Sequence, residues 1–300
     1  MVERLIQSEH AKKMWDFRPG VTVGGPEGLS LQQKAKILWD FHQDEISNYI
    51  TNLTTDLPTE QTRAIIFGQG RSGSTLLENL ICSSRYFKQA GELLSPYYKT
   101  INRHGIRIHQ GEPLFPSHYI HGLLKKQPDK NFIFHLKVYH LTEERCRPVN
   151  PKRILRTFYD HGWKIIFLRR RNRIKHVLSD WVRDRRGRPH KKDDENERYR
   201  LQIDCDVFAE MVQGREKFEA MERDCLASMD FHEVVYDDDL EDASRHQSTV
   251  DGIFQFLQMP SVPVSTRYRK VNTQSMEDLI INYDEFKASM IAHGWGESLD

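Results

Sequence analysis

The chain lacks any apolar run long enough to cross a membrane. Its longest hydrophobic stretches, such as Ala64-Ile65-Ile66-Phe67, are one strand long, whereas a spanning helix needs about 20 residues. The start, Met1-Val2-Glu3-Arg4-Leu5-Ile6, has no apolar core of the kind a signal peptide needs. Cysteine is scarce too. Cys82, Cys146, Cys205 and Cys225 are scattered without C-x-x-C spacing, so neither a zinc site nor a disulfide framework is indicated, and they read as small buried hydrophobes. Net charge is nearly absent: 44 Lys and Arg against 43 Asp and Glu leave +1, which argues against a dedicated nucleic-acid binder. There is no internal repeat and no low-complexity tract.

What remains fits one domain of 300 residues. Residues 1–60 read as a helical N-terminal cap, with Leu31, Ala35, Leu38, Trp39 and His42 marking an amphipathic segment after the turn at Gly24-Gly25-Pro26. Residues 61–300 read as an α/β domain. Apolar runs at 64–67, 131–139, 163–168 and 231–236 are suited to buried strands and are separated by helical segments. That pattern predicts a P-loop-like parallel β-sheet flanked by helices. Residues 183–200 are almost wholly charged and include Gly187 and Pro189. They read as an exposed, solvated loop, with a lid over the acceptor as the second reading.

Two motifs carry chemistry. The first is Gly68-Gln69-Gly70-Arg71-Ser72-Gly73-Ser74-Thr75, which has the spacing of a phosphate loop but serine at position 74, where an ATP-binding loop has lysine. An apolar strand precedes it, and Leu76, Leu77, Leu80 and Ile81 follow at helical spacing. Strand, glycine turn and helix start present unpaired N–H groups and a helix dipole at one point, which holds an anion. Without the lysine, the loop suits a single nucleotide phosphate better than a β/γ pair with magnesium.

The second motif begins at Lys164. The run Ile165-Ile166-Phe167-Leu168 leads to Arg169-Arg170-Arg171, Asn172 stands as an N-cap, and Ile174, Val177, Leu178 and Trp181 follow on one helix face. The arginines therefore sit at a strand's carboxyl end, where open parallel sheets bind ligands.

Arg71-Ser72-Gly73-Ser74-Thr75-Leu76-Leu77 resembles the 5′-phosphosulfate loop of sulfotransferases that use 3′-phosphoadenosine 5′-phosphosulfate (PAPS). Arg171 and Ser179, eight positions apart with Asn172 after the arginine, resemble that family's 3′-phosphate pair. The likeness spans roughly residues 63–290, nearest the bacterial carbohydrate (trehalose-type and nodulation-type) enzymes. It implies PAPS as co-substrate, held by Arg71, Ser72, Gly73, Ser74, Thr75, Arg171 and Ser179. It implies a hydroxyl of a carbohydrate or other small molecule as acceptor. The family's Golgi members carry a membrane anchor with no counterpart here, which implies a cytoplasmic enzyme.

In the bacterial members a glutamate at this distance past the loop is the general base. Glu92 after Gly91 matches it, with Arg71 assisting the leaving phosphate. The cytosolic mammalian-type enzymes use histidine, which makes His135 and His140 competitors. Lys137 resembles a lysine common in the bacterial members, without the glycine of their Phe-Gly-x-Lys pattern. Val234-Val235-Tyr236-Asp237-Asp238-Asp239-Leu240 echoes the family's Tyr-Glu-Asp-Leu strand end and brings Tyr236 near the adenine. Arg269 and Lys270 occupy the place of a segment that closes on the 3′-phosphate. No acidic residue reads as a strand-end magnesium ligand, so no metal is expected. Two other readings stay open: a P-loop small-molecule kinase, which predicts lysine at 74, and a non-catalytic nucleotide or nucleic-acid binder, which predicts exposed aromatics among the basic residues.

Overall fold

The computed structural model describes residues 31–95, 97–98, 108–109, 111–186, 200–268 and 274–299. Strands β1 (Arg63–Phe67), β2 (Phe87–Gln89), β5 (Asn131–Leu136), β6 (Lys164–Arg169) and β7 (Phe231–Val235) form one sheet in the order β2-β5-β1-β6-β7. All of its pairings are parallel. Strands β3 (Tyr97–Tyr98) and β4 (Ile108–His109) form a separate antiparallel pair.

Alternate side chains of the apolar runs supply two cores, as period-2 geometry requires. Ile65, Phe67, Phe132, Phe134, Ile165 and Phe167 pack against helices α3 (Pro116–Lys125), α4 (Pro151–Asp160) and α6 (Cys205–Leu226). Ala64, Ile66, Ile133, Ile166 and Leu168 pack on the other face against α2 (Ser74–Ser83) and α7 (His246–Phe256). A third cluster joins α5 (Arg173–Arg186), α6 and α8 (Tyr283–Ala292), where Ile174, Val177, Leu178, Phe208, Val212 and Phe286 meet. The expected face of α5 is buried at Ile174, Val177 and Leu178, with Trp181 half-buried beside Phe208.

Helix starts follow their caps. Asn150 accepts a hydrogen bond from the Arg153 N–H with Pro151 behind it, and Asp204 accepts from the Asp206 and Val207 N–H groups. Asn172 accepts from the Lys175 N–H at 2.8 Å, capping α5 as its sequence predicts. Because β1 is central, with β5 and β2 on one side and β6 and β7 on the other, the crevice outside its carboxyl end is where such sheets take ligands.

The structure corrects two strand ends and one helix face. The run expected to be a strand over 131–139 leaves the sheet after Leu136 and turns through Val138–His140. Residue Tyr236 opens a helical turn, Tyr236–Leu240, rather than ending β7. In α1 (Leu31–Thr54) three residues of the expected amphipathic segment, Ala35, Trp39 and His42, are exposed. The helix instead docks on α3 through polar side chains. Glu45 accepts from the Leu114 N–H and from Tyr49, Tyr49 accepts from the Phe115 N–H, and Asp44 accepts from Tyr119. These acceptors satisfy amides at the start of α3 that would otherwise lack partners.

Candidate active site

The loop between β1 and α2 is held open by two glycines. A side chain at Gly68 would lie 1.9 Å from the Leu168 carbonyl oxygen of β6. Gly73, with φ 95°, is the N-cap of α2 and lies under the Tyr236 ring, where a side chain would meet ring carbon at 2.6 Å. Arg71 between them has φ 68°, a conformation few non-glycine residues adopt. The Leu77 N–H donates to the Gly73 carbonyl at 2.9 Å. The three amides before it, on Ser74, Thr75 and Leu76, open the helix with no carbonyl one turn back. Ser74 and Thr75 are half-buried there. The Ser72 hydroxyl is fully buried and donates to the Gln69 carbonyl at 2.6 Å, so its side chain braces the turn instead of facing a ligand.

A charged group converges on this loop from the end of β5. Lys137 Nζ lies 2.5 Å from Glu92 Oε1, and a side chain at Gly70 would meet the same ammonium at 3.3 Å. Burial alone would lower the Lys137 pKa, but the Glu92 carboxylate more than offsets it and holds the value above that of an ordinary lysine. Tyr139 accepts the Gly70 N–H at 2.8 Å. His140 Nε2 is 3.8 Å from Glu92 Oε2 and 3.6 Å from Glu144 Oε2. Glu92 and one of its histidine competitors are thus parts of one cluster.

The other histidine is elsewhere. His135 points to the α2 face of the sheet, with Nε2 3.3 Å from Glu78 Oε2. Glu78 also accepts the Gly91 N–H at 2.9 Å. Burial would raise the Glu78 pKa, but hydrogen bonding and charge from His135, with the Gly91 amide, hold it below the usual carboxylate value. The pair fixes the turn that carries Glu92, and His135 is set aside as a base.

At the end of β6 the three arginines part company. Arg169 pairs with Glu233 at 2.8 Å. Arg170 lies over the Tyr236 ring, 4.7 Å from its centroid. Arg171 is more than half exposed and forks onto Asp238, while its own N–H donates to Asp237 at 2.6 Å. Ser179 donates to the His176 carbonyl of its own helix at 2.7 Å. Burial raises the Tyr236 hydroxyl's pKa, and the nearby charges of Arg170 and Arg71 oppose the rise. Tyr236 therefore bridges the arginine cluster and the loop. The turn after β7 does place carboxylates at a strand's carboxyl end, against expectation. They are engaged by Arg171 and by the Val235 N–H, which donates to Asp239 at 2.7 Å. Arg269 and Lys270 lie outside the described residues, as does most of the charged segment 183–200.

Behind the loop is a buried set to which the sequence reading gives no role: Gln69, His176, Asp180, Arg215 and Glu222. Burial, with the Arg215 and Arg170 charges, takes the His176 pKa well below its ordinary value. Burial pushes the Glu222 carboxyl up to about 8.

No family model and no curated protein matches the chain. Among solved structures it is similar to a sulfotransferase domain from the curacin biosynthetic pathway, at 16% identity and a TM-score of 0.39, over 68% of this chain and 76% of that one. It is also similar to a sulfotransferase from Alicyclobacillus acidocaldarius, at 11% identity and a TM-score of 0.44, over 80% of this chain and 95% of that one. At such values the functional reading rests on the residues of the site. Among the described residues no helix is long and apolar enough to cross a membrane, and no three His, Cys, Asp or Glu side chains are grouped to hold a metal ion.

Proposed function

We propose that the protein is a PAPS-dependent sulfotransferase that acts on a hydroxyl of a carbohydrate or other small molecule and releases adenosine 3′,5′-bisphosphate. One observation carries the reading: Lys137, Glu92 and Gly70 of a phosphate loop without its lysine meet at the carboxyl ends of β1 and β5. PAPS would supply a sulfuryl group on a phosphate that can leave. The amides of residues 73–76 are suited to hold the 5′-phosphosulfate end, and Lys137 provides the cation that position 74 lacks. Charge grows on the departing phosphate oxygen as its bond to sulfur breaks, so oriented amides, Lys137 and Arg71 assist there. Arg71 keeps its proton and acts by charge alone.

Glu92 takes the acceptor's proton as the new oxygen–sulfur bond forms. Paired with Lys137 it is a weakened base. A sulfuryl oxygen that draws Lys137 toward itself frees the carboxylate for the acceptor. His140, beside both Glu92 and Glu144, is placed to carry the proton onward.

The test is release of adenosine 3′,5′-bisphosphate from PAPS with a panel of sugars and small alcohols. Acceptor-dependent release by the native protein is expected. Lys137→Met should lower kcat by roughly 10²–10³, the effect of removing a preorganised charge from a leaving group. Failure of the native protein to bind the bisphosphate or to release it with any acceptor would sink the reading, and phosphoryl transfer from ATP with magnesium would replace it with a kinase.

A further inference from the structure

Five polar residues, each more than nine-tenths buried, sit behind the loop: Gln69, His176, Asp180, Arg215 and Glu222. Such a set is costly to bury. Two of its hydrogen bonds meet on one oxygen, and the others brace them. His176 Nε2 donates to the Gly70 carbonyl at 2.7 Å, and Arg215 Nη1 donates to the same oxygen at 3.3 Å. Arg215 Nη1 also reaches Gln69 Oε1 at 3.3 Å, while Gln69 Nε2 returns a bond to the Arg215 carbonyl at 3.0 Å and another to Glu222 Oε2 at 3.3 Å. The other end of the guanidinium is fastened to Asp180 of α5.

We infer that Arg215, with His176, is a positioning residue that sets the orientation of the anion-binding loop by gripping the Gly70 carbonyl. A trans peptide carries its C=O and the next N–H on opposite edges of one plane. Pulling the Gly70 carbonyl toward α5 and α6 therefore aims the Arg71 N–H away from those helices. On the other side of Gly70, its own N–H is taken by Tyr139. The loop's second glycine is thus clamped at both of its polar groups, one from the end of β5 and one from α5 and α6. Burial keeps His176 neutral, and since the carbonyl can only accept, the ring proton is on Nε2. Lysine cannot copy this arrangement, because Nη1 serves Gly70 and Gln69 while Nη2 serves Asp180, and one nitrogen cannot stand in both places.

The inference rests on the proposed reading only in calling the loop the donor's site, so the experiment separates the two. Amide hydrogen exchange of residues 70–76 is measured without any ligand, and binding of adenosine 3′,5′-bisphosphate is measured beside it, both well below the melting temperature. Three variants are compared with the native protein: Arg215→Lys, Arg215→Met, and the double variant Arg215→Met with Asp180→Leu. The double variant leaves no uncompensated buried charge, so it should melt closer to the native protein than Arg215→Met does. All three should exchange the loop amides at least about tenfold faster and bind the bisphosphate about tenfold or more weakly, with kcat falling further than KM rises. A double variant with native loop exchange and native affinity would overturn the inference, since a purely structural role would be met by restored stability. If the native protein does not bind the bisphosphate, the sulfotransferase reading falls, and the exchange rates alone still decide what Arg215 does.

Discussion

The carboxyl ends of β5 and β6 both carry basic residues toward the same crevice, but the structure treats them differently. At β5, Lys137 and Glu92 are nearly buried, lie 2.5 Å apart and adjoin the loop at Gly70. At β6, Arg171 is exposed and already committed to Asp238, and Ser179 to its own helix. The first arrangement is organised before any ligand arrives. To take a phosphate, the second would have to give up a protein carboxylate. Charges fixed in advance serve chemistry, where reorganisation at the moment of reaction is costly. Charges that swap partners serve binding, because a bidentate carboxylate and a phosphate offer a guanidinium the same oxygen fork. The two ends of the sheet therefore predict different kinetic signatures.

The largest effect is expected at β5. Glu92→Gln keeps the shape of the side chain and removes the proposed base, so kcat should fall by roughly 10²–10⁴ while bisphosphate affinity stays within about twofold. His140→Ala is the control within the same cluster. If His140 only passes the proton on, its loss should cost less than that of Glu92. The reverse order, with Glu92→Gln near native turnover, would make His140 the base and Glu92 its partner.

A smaller and differently shaped effect is expected at β6. Arg171→Ala should weaken adenosine 3′,5′-bisphosphate by about tenfold to a hundredfold, the usual loss of a charged hydrogen-bonding partner. Adenosine 5′-phosphosulfate, which lacks the 3′-phosphate, should be nearly unaffected. Equal loss for both ligands, read by calorimetry, would remove Arg171 and Ser179 from the 3′-phosphate and shift attention to Arg170, which lies over Tyr236.

The contrast between the two ends also marks what could be read from the sequence. The apolar runs at β1 and β6 and the glycine spacing of the loop are local signals, and the parallel sheet and loop geometry follow from them. Lys137 was visible only as one residue of an imperfect pattern, because its importance comes from β5 breaking off after Leu136. The Arg171–Asp238 pair joins residues 67 positions apart, and nothing local in either motif announces it. Arg215 lies in a charged stretch of α6, Gly214-Arg215-Glu216-Lys217, that reads as a solvated helix face. His176 and Asp180, four apart on α5, were the one hint that this helix has a polar face turned inward. Trp39 misled for the opposite reason: an apolar residue at helical spacing marks a stripe, not what covers it, and α1 docks through Asp44, Glu45 and Tyr49 instead.

The smallest predicted effect is the sharpest test of the comparison, because it asks for a gain. If Asp238 occupies the fork that a 3′-phosphate needs, Asp238→Asn should strengthen bisphosphate binding. The asparagine cannot hold Arg171 with charge, and a negative group is removed from the path of an incoming anion. Exposed ion pairs are weak and screened by salt, so the gain should be only a few-fold at low ionic strength and should shrink as salt is added. It should be absent for adenosine 5′-phosphosulfate. It should also shrink in an Arg171→Ala background, where there is no fork to release and only the removed negative charge still acts, which makes the pair a double-mutant cycle with a signed coupling. No comparable gain is expected at β5, where the proposed reaction uses both Lys137 and Glu92. Weaker bisphosphate binding by Asp238→Asn would mean that the carboxylate orients Arg171 for the phosphate instead of competing with it, and the β6 end would then be as preorganised as the β5 end.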